Sequence, residues 1–250
     1  MAGSVGEVIG ELSAIIDEAK AANSRLGYFP ALYRNVTIRV RDGIASGMFE
    51  DGPRMARLDV FFANRYLDAY NGWRNGAPIS GSWRLAFESA GDFSLAIVQH
   101  LLLGISAHIN LDLGIATAET APGLAVGGIY DDFKKISDLL SAMTLGVERQ
   151  VASVSPLIGL LAAIDSQTPD EVANFNIRVA RDLAWVTARE FAVLPKAFWP
   201  PAIGTLDTNT EGFGILLRSP GPVVRAALLK IAERETAAPR DVIDVLCAPA

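Results

Sequence analysis

Cysteine and histidine are nearly absent from this 250-residue chain, and basic residues are in the minority. Cys247 is the only cysteine, so an intramolecular disulfide and a cysteine-based metal cage are both excluded. The same scarcity fits a reducing, cytoplasmic setting. Lys and Arg number 22 against 28 Asp and Glu, a formal net charge of -6, which leaves no basic face to displace the counterions of a nucleic acid. Arg34, Arg39 and Arg41 in "YRNVTIRVRDG" form the one dense basic group, and a local anion contact is all it supports. The first 25 residues carry acidic groups early and no basic stretch ahead of an apolar core, unlike a secretory signal.

Uninterrupted apolar runs are missing as well. A membrane span needs about 20 mainly apolar residues, and the best window, Phe93 to Leu113, contains Gln99, His100, His108, Asn110 and Asp112. It reads as a helix buried in protein. No H-E-x-x-H or G-x-S-x-G string occurs, and the glycine clusters match neither a phosphate loop nor a dinucleotide fingerprint. Internal repeats, low-complexity linkers and the period-two alternation of strands are also lacking. A composition break that would divide the chain in two is not found.

Half of the residues are hydrophobic and a fifth charged, a balance that supports one substantial core. Helical spacing dominates. Val5, Val8, Ile9, Leu12, Ile15 and Ile16 form one apolar stripe, and Leu32, Val36, Val40 and Ile44 follow at four-residue intervals after Pro30. The β-branched residues of this second segment leave a strand near 36–40 as its competitor. Helices are expected over Pro53–Tyr70, from Trp83, and over Tyr130–Val151, with short ones after Pro156, over Val223–Glu235 and over Arg240–Leu246. "TPDE" at Thr168 to Glu171 is a capping signal for a helix ending near Leu194. Irregular loops are expected near 71–83, 119–129 and 195–222, the last rich in proline and glycine and placed to cover a pocket. The expectation is an all-α, single-domain, multi-helix bundle over 1–250 around a buried central helix of about 93–118.

Both histidines sit in that central helix, in "QHLLLGISAHINLDLG". Residues four apart share a helix face, so His108 and Asp112 are neighbours, suited to an imidazole oriented by a carboxylate or to two ligands on one metal. His100 lies two turns away, about 12 Å by helical rise, too far to share an ion on a straight helix. Gly104 between them permits a bend or a close neighbour. A buried, unpaired Asp112 would cost several kcal/mol, so His108, an arginine or a metal must compensate it. A satisfied core network without chemistry meets the same requirement. "LDVFFANRY" adds Asp59, Asn64, Arg65 and Tyr66; Arg65 suits a substrate carboxylate or phosphate, or an ion pair. "YDDFKKISD" adds Asp131, Asp132 and Asp138, the first two also good helix-start charges. Trp73, Trp83, Phe198 and Trp199 suit a pocket entrance or plain core packing.

The blocks "LDVFFANRYLDA", "QHLLLGISAHINLDLGIA", "YDDFKKISDLL" and "RDLAW", spread over about residues 30–235, resemble an all-helical family known only as a domain of unknown function. The resemblance implies a shared role for Asp59, Asn64, Arg65, Tyr66, His100, His108, Asn110, Asp112 and Asp132, and no activity. The H-x-x-x-D step of His108 and Asp112 is also similar to the helical zinc phospholipase C and P1 nuclease group. That group uses several more histidines, so the resemblance implies at most one or two metals held mainly by Asp59, Asp112 and Asp132.

Three functions follow as expectations. The first is a small-molecule lyase, cyclase or isomerase without a cofactor, in which His108 transfers a proton and Asp112 orients it and stabilises its cation. Asp59, Asn64, Arg65, Tyr66, His100, Asn110 and Asp132 would bind substrate. The second is a divalent-metal phosphoester hydrolase with His108, Asp112, Asp59 and Asp132 as ligands. The third is a non-enzymatic binding or interaction protein. The apolar surplus also permits a homodimer.

Overall fold

A computed structural model describes residues 1–161 and 177–249. Helix α1, Val5–Ala21, starts where the Ser4 side chain accepts the Glu7 N–H, a cap of about 1 kcal/mol. It buries Val5, Val8, Leu12, Ile15, Ile16 and Ala19, nearly the stripe read from the sequence. α2 is Tyr28–Ala45, and the β-branched stretch at 36–40 is helical throughout. The buried positions include neighbours such as Phe29, Ala31, Leu32 and Tyr33, which a strand would split between two faces and a helix gathers on one broad face, and their burial outweighs local β propensity. α3, Gly52–Arg74, is capped by Asp51 on the Arg54 N–H and carries Pro53 in its first turn. α4 follows as Gly81–Ser89, which confines the irregular stretch expected at 71–83 to residues 75–80.

The central element is one helical rod, Ile97–Thr120, in three parts: α5, Ile97–Ser106; a π-helical segment, Ala107–Leu113; and α6, Gly114–Thr120. Its length and apolarity would suit a membrane span, but most of it is buried by other helices. Gly104 receives Phe29 of α2: a Cβ there would lie 2.7 Å from the ring. Gly114 crosses the helix α8, Ile177–Val193, and a Cβ there would meet the Ala184 carbonyl oxygen at 2.7 Å. Gln99, polar within an apolar run, donates through Nε2 to the carbonyls of Leu217 and Arg218, which end another helix.

A 3-10 turn, Gly123–Ile129, precedes α7, Tyr130–Val154. The capping signal at Thr168–Glu171 lies outside the described residues. The expected loop at 195–222 is instead mostly a 20-residue helix, α9, Trp199–Arg218. Pro200 and Pro201 fall in its first turn, where the missing N–H groups need no intrahelical partner. Thr205, Thr208 and Thr210 return their hydroxyls to carbonyls four residues back. Asp207 accepts the Gly81 and Ser82 N–H groups, so α9 caps α4 across 126 and 125 positions. α10, Pro222–Ala232, and α11, Pro239–Cys247, complete the bundle. Asn35 ties the end of α11 to α2 by donating to the carbonyls of Leu246 and Ala248. The fold is all-α, with no strand among the described residues.

Candidate functional site

The π segment carries His108, Asn110 and Asp112. Such segments are rare, and they recur at functional sites because the widened turn re-aims side chains. Asp112 is 1 % exposed, and its charge is compensated from two other helices. Oδ1 accepts Arg65 Nε of α3 at 2.8 Å, and Oδ2 accepts the Trp83 indole N–H of α4 at 2.8 Å. His108 Nδ1 stands 3.5 Å from the same Oδ2. The sequence pair is thus real, but Arg65 and Trp83 hold Asp112 more closely than His108 does.

The His108 imidazole lies within an aromatic cage. Phe62 stacks on it with centroids 3.5 Å apart and planes 8° from parallel. Tyr33 and Phe29 meet it edge to face at 4.4 and 5.4 Å. Burial lowers the pKa of His108 from its usual 6.5; Asp112 pulls it up, and the Arg65 charge pushes it down again. The net direction is downward, so the resting ring is neutral at pH 7. With Arg65 already paired to Asp112, that neighbour does not by itself make His108 a cation.

His108, Tyr33 and Phe62 also line a cavity of about 600 Å³, within the range of small-molecule sites. Its wall is largely aliphatic, supplied by α5 through Leu101 and Ile105 and by α7 through Met143 and Val147. Buried among these elements are four polar atoms with no hydrogen-bond partner: Tyr33 Oη, Asp59 Oδ2, Tyr66 Oη and His108 Nε2. Native interiors rarely leave such atoms unpaired, so each of them retains the capacity for a further hydrogen bond. Burial lifts the Asp59 carboxyl to a pKa of about 7. Burial, then the nearby Asp59 charge, holds the Tyr33 hydroxyl well above 10.

Other expected site residues stand elsewhere or are already engaged. Asn64 spends both ends of its amide on the backbone of Ala2, at 2.8 and 2.9 Å, fastening the N-terminal segment to α3. Arg65 donates Nε to Asp112 Oδ1 at 2.8 Å. Asp132 accepts the Glu50 and Asp51 N–H groups, Lys135 and Arg54. Burial alone would raise its pKa, and these four donors more than reverse that, holding it below the usual value. It fixes the turn before α3. His100 meets Tyr28 edge to face at 5.9 Å, and burial drives its pKa down to about 4. Asn110 donates to Ser106 Oγ.

Asp59, His108, Asp112 and Asp132 do not come together as a metal set; no group of three or more His, Cys, Asp or Glu with that capacity occurs among the described residues. The donor set therefore does not fit the zinc enzymes suggested by the H-x-x-x-D step. Tyr33 and Phe62 are the residues sequence reading missed. Phe29 and Tyr33 lie four apart in "YFPALYRNV", a repeat of aromatic side chains on one helix face that signals such a cage.

The chain belongs to a family of unknown function (DUF5995), whose model matches residues 5–220. No curated protein and no solved structure matches it.

Proposed function

We propose that the protein is a small-molecule enzyme of lyase, cyclase or isomerase type that moves a proton on an apolar substrate held in the 600 Å³ cavity. One observation carries this reading: His108 presents an unpartnered, buried Nε2 from a ring that lines the cavity and is fixed by Asp112 and Phe62. A neutral imidazole is competent to accept a proton, and its tendency to be neutral supports the role of base. Once protonated, the ring gains a direct charge interaction with Asp112, so the carboxylate stabilises the intermediate more than the resting state. The aliphatic and aromatic wall beside the imidazole lowers the polarity around that proton.

The test is deuterium incorporation. Wild-type protein and His108→Gln are incubated in D₂O with an apolar metabolite extract, and the small molecules are read by mass spectrometry. Labelling that requires His108 supports the reading; identical labelling in both samples sinks it. The near-uniform aliphatic wall favours a second reading, a ligand carrier without turnover. A carrier retains its co-purified ligand in His108→Gln and labels nothing.

A further inference from the structure

The cavity wall is selective about charge. Among the described residues Glu148 is its only charged member, and no Lys or Arg lines it. The nearest guanidinium to the imidazole, that of Arg65, is engaged by Asp112. A carboxylate or phosphate entering here would leave water without gaining a cation, the costliest way to bury a polar group. A pure hydrocarbon would instead leave Tyr33 Oη and His108 Nε2 unpaired. The rings of these two side chains touch and both line the cavity, with the two polar atoms buried just behind its surface. The space corresponds to about 20 non-hydrogen atoms at the ~30 Å³ share of a water molecule.

We infer that the substrate is an uncharged, long or polycyclic carbonyl compound, with its oxygen accepting a hydrogen bond from Tyr33 and its adjacent C–H group facing His108 Nε2. This deepens the acid–base reading above and rests on it for the chemistry, but not for the choice of head group. The Tyr33 hydroxyl remains protonated through the working pH range and is a donor, whereas the neutral imidazole is an acceptor. Tyr33 therefore polarises the carbonyl while His108 takes the proton from the neighbouring carbon. The C–H electron pair becomes the enolate double bond, and the negative charge on oxygen is met by the Tyr33 O–H. The imidazolium then returns the proton to the same carbon or to a conjugated one. No electron leaves the substrate, so no oxidant, reductant or second reactant is needed.

The probes are 2-decanone and decanoate, titrated calorimetrically into the full chain at pH 8, with exchange of the ketone α-protons followed in D₂O. The ketone is expected to bind at least ten-fold more tightly than the carboxylate. Its affinity should fall about ten-fold in Tyr33→Phe. Equal or tighter binding of decanoate, or no ketone binding, overturns the inference using wild-type protein alone, whatever the folding of the variant. Ketone selectivity with enzyme-accelerated exchange that disappears in His108→Gln supports both levels of the argument. The same selectivity without exchange supports the head group and removes the proton-transfer reading.

Discussion

The Trp83 indole N–H and the Asp112 carboxylate meet at 2.8 Å although 29 residues separate them, which makes a tryptophan part of the electrostatics of the histidine pair. A hydrogen bond to a charged group is worth about 1.5–3 kcal/mol. Trp83→Phe should cost that much stability. Asp112→Asn should cost more, about 3–5 kcal/mol, because it strands the Arg65 guanidinium in a partly buried position. Urea unfolding of both variants checks the order; a Trp83→Phe loss exceeding that of Asp112→Asn contradicts it.

Asp59 and His100 should give opposite pH dependences. Burial lifts the Asp59 carboxyl from its usual 3.8 to about 7, so the fold holds its proton more tightly. Its contribution is full below pH 3.8 and is lost as pH rises towards 7. His100 is depressed from 6.5 to about 4, so its contribution is full above 6.5 and is lost as pH falls to 4. Each slope is about 1.4 kcal/mol per pH unit, and between 4 and 6.5 they oppose each other. Relative to wild type, Asp59→Asn should lose melting temperature on acidification from pH 6.5 to 4, and His100→Gln should gain it. Thermal melts in which both variants shift in the same direction would refute the assignment.

Gly104→Ala should destabilise by about 1–3 kcal/mol, since the new methyl lies 2.7 Å from the Phe29 ring unless that ring moves. Phe29 also packs on Tyr66, Trp83 and His108, so relief at Gly104 disturbs the cage. A smaller double loss in Gly104→Ala, Phe29→Leu than the sum of the singles, measured by denaturant midpoint, is the expected signature of direct contact.

Asn64→Ala separates scaffold from site. It removes both hydrogen bonds to Ala2 and should speed proteolytic trimming of the N-terminal segment while leaving 2-decanone affinity unchanged. Ketone binding that weakens ten-fold would return Asn64 to the ligand site.

The helices were legible wherever apolar spacing recurred, as in α1, because burial of one face follows directly from period 3.6. The pair His108–Asp112 was legible for the same local reason. Composition misled at 195–222: Pro200 and Pro201 are breakers inside a helix but not in its first turn, and the sequence shows no partner for Asp207. Asn64 and Asp132 looked like ligands because polar groups in apolar surroundings need partners. Those partners turned out to be the backbone of Ala2, 62 positions away, and of Glu50 and Asp51, over 80 positions away. Long-range backbone donors leave no trace in local spacing. Tyr33 and Phe62 went unread because an aromatic in a helix is core by default, and only the third dimension puts it against an imidazole.

The wide-turn segment Ala107–Leu113 divides the central rod between two attachments, Phe29 at Gly104 and α8 at Gly114. In the language of machine parts, it is the shim that lets two fixed ends share one shaft. Removing a single residue from this segment would let an ordinary α-helix form with the two glycines still facing their neighbours, but would close the wide turn that aims the side chains of His108 and Asp112. The same shim holds His108 and Asp112. The extra residue therefore serves the imidazole and the carboxylate, while the two glycine contacts hold the frame on either side of it.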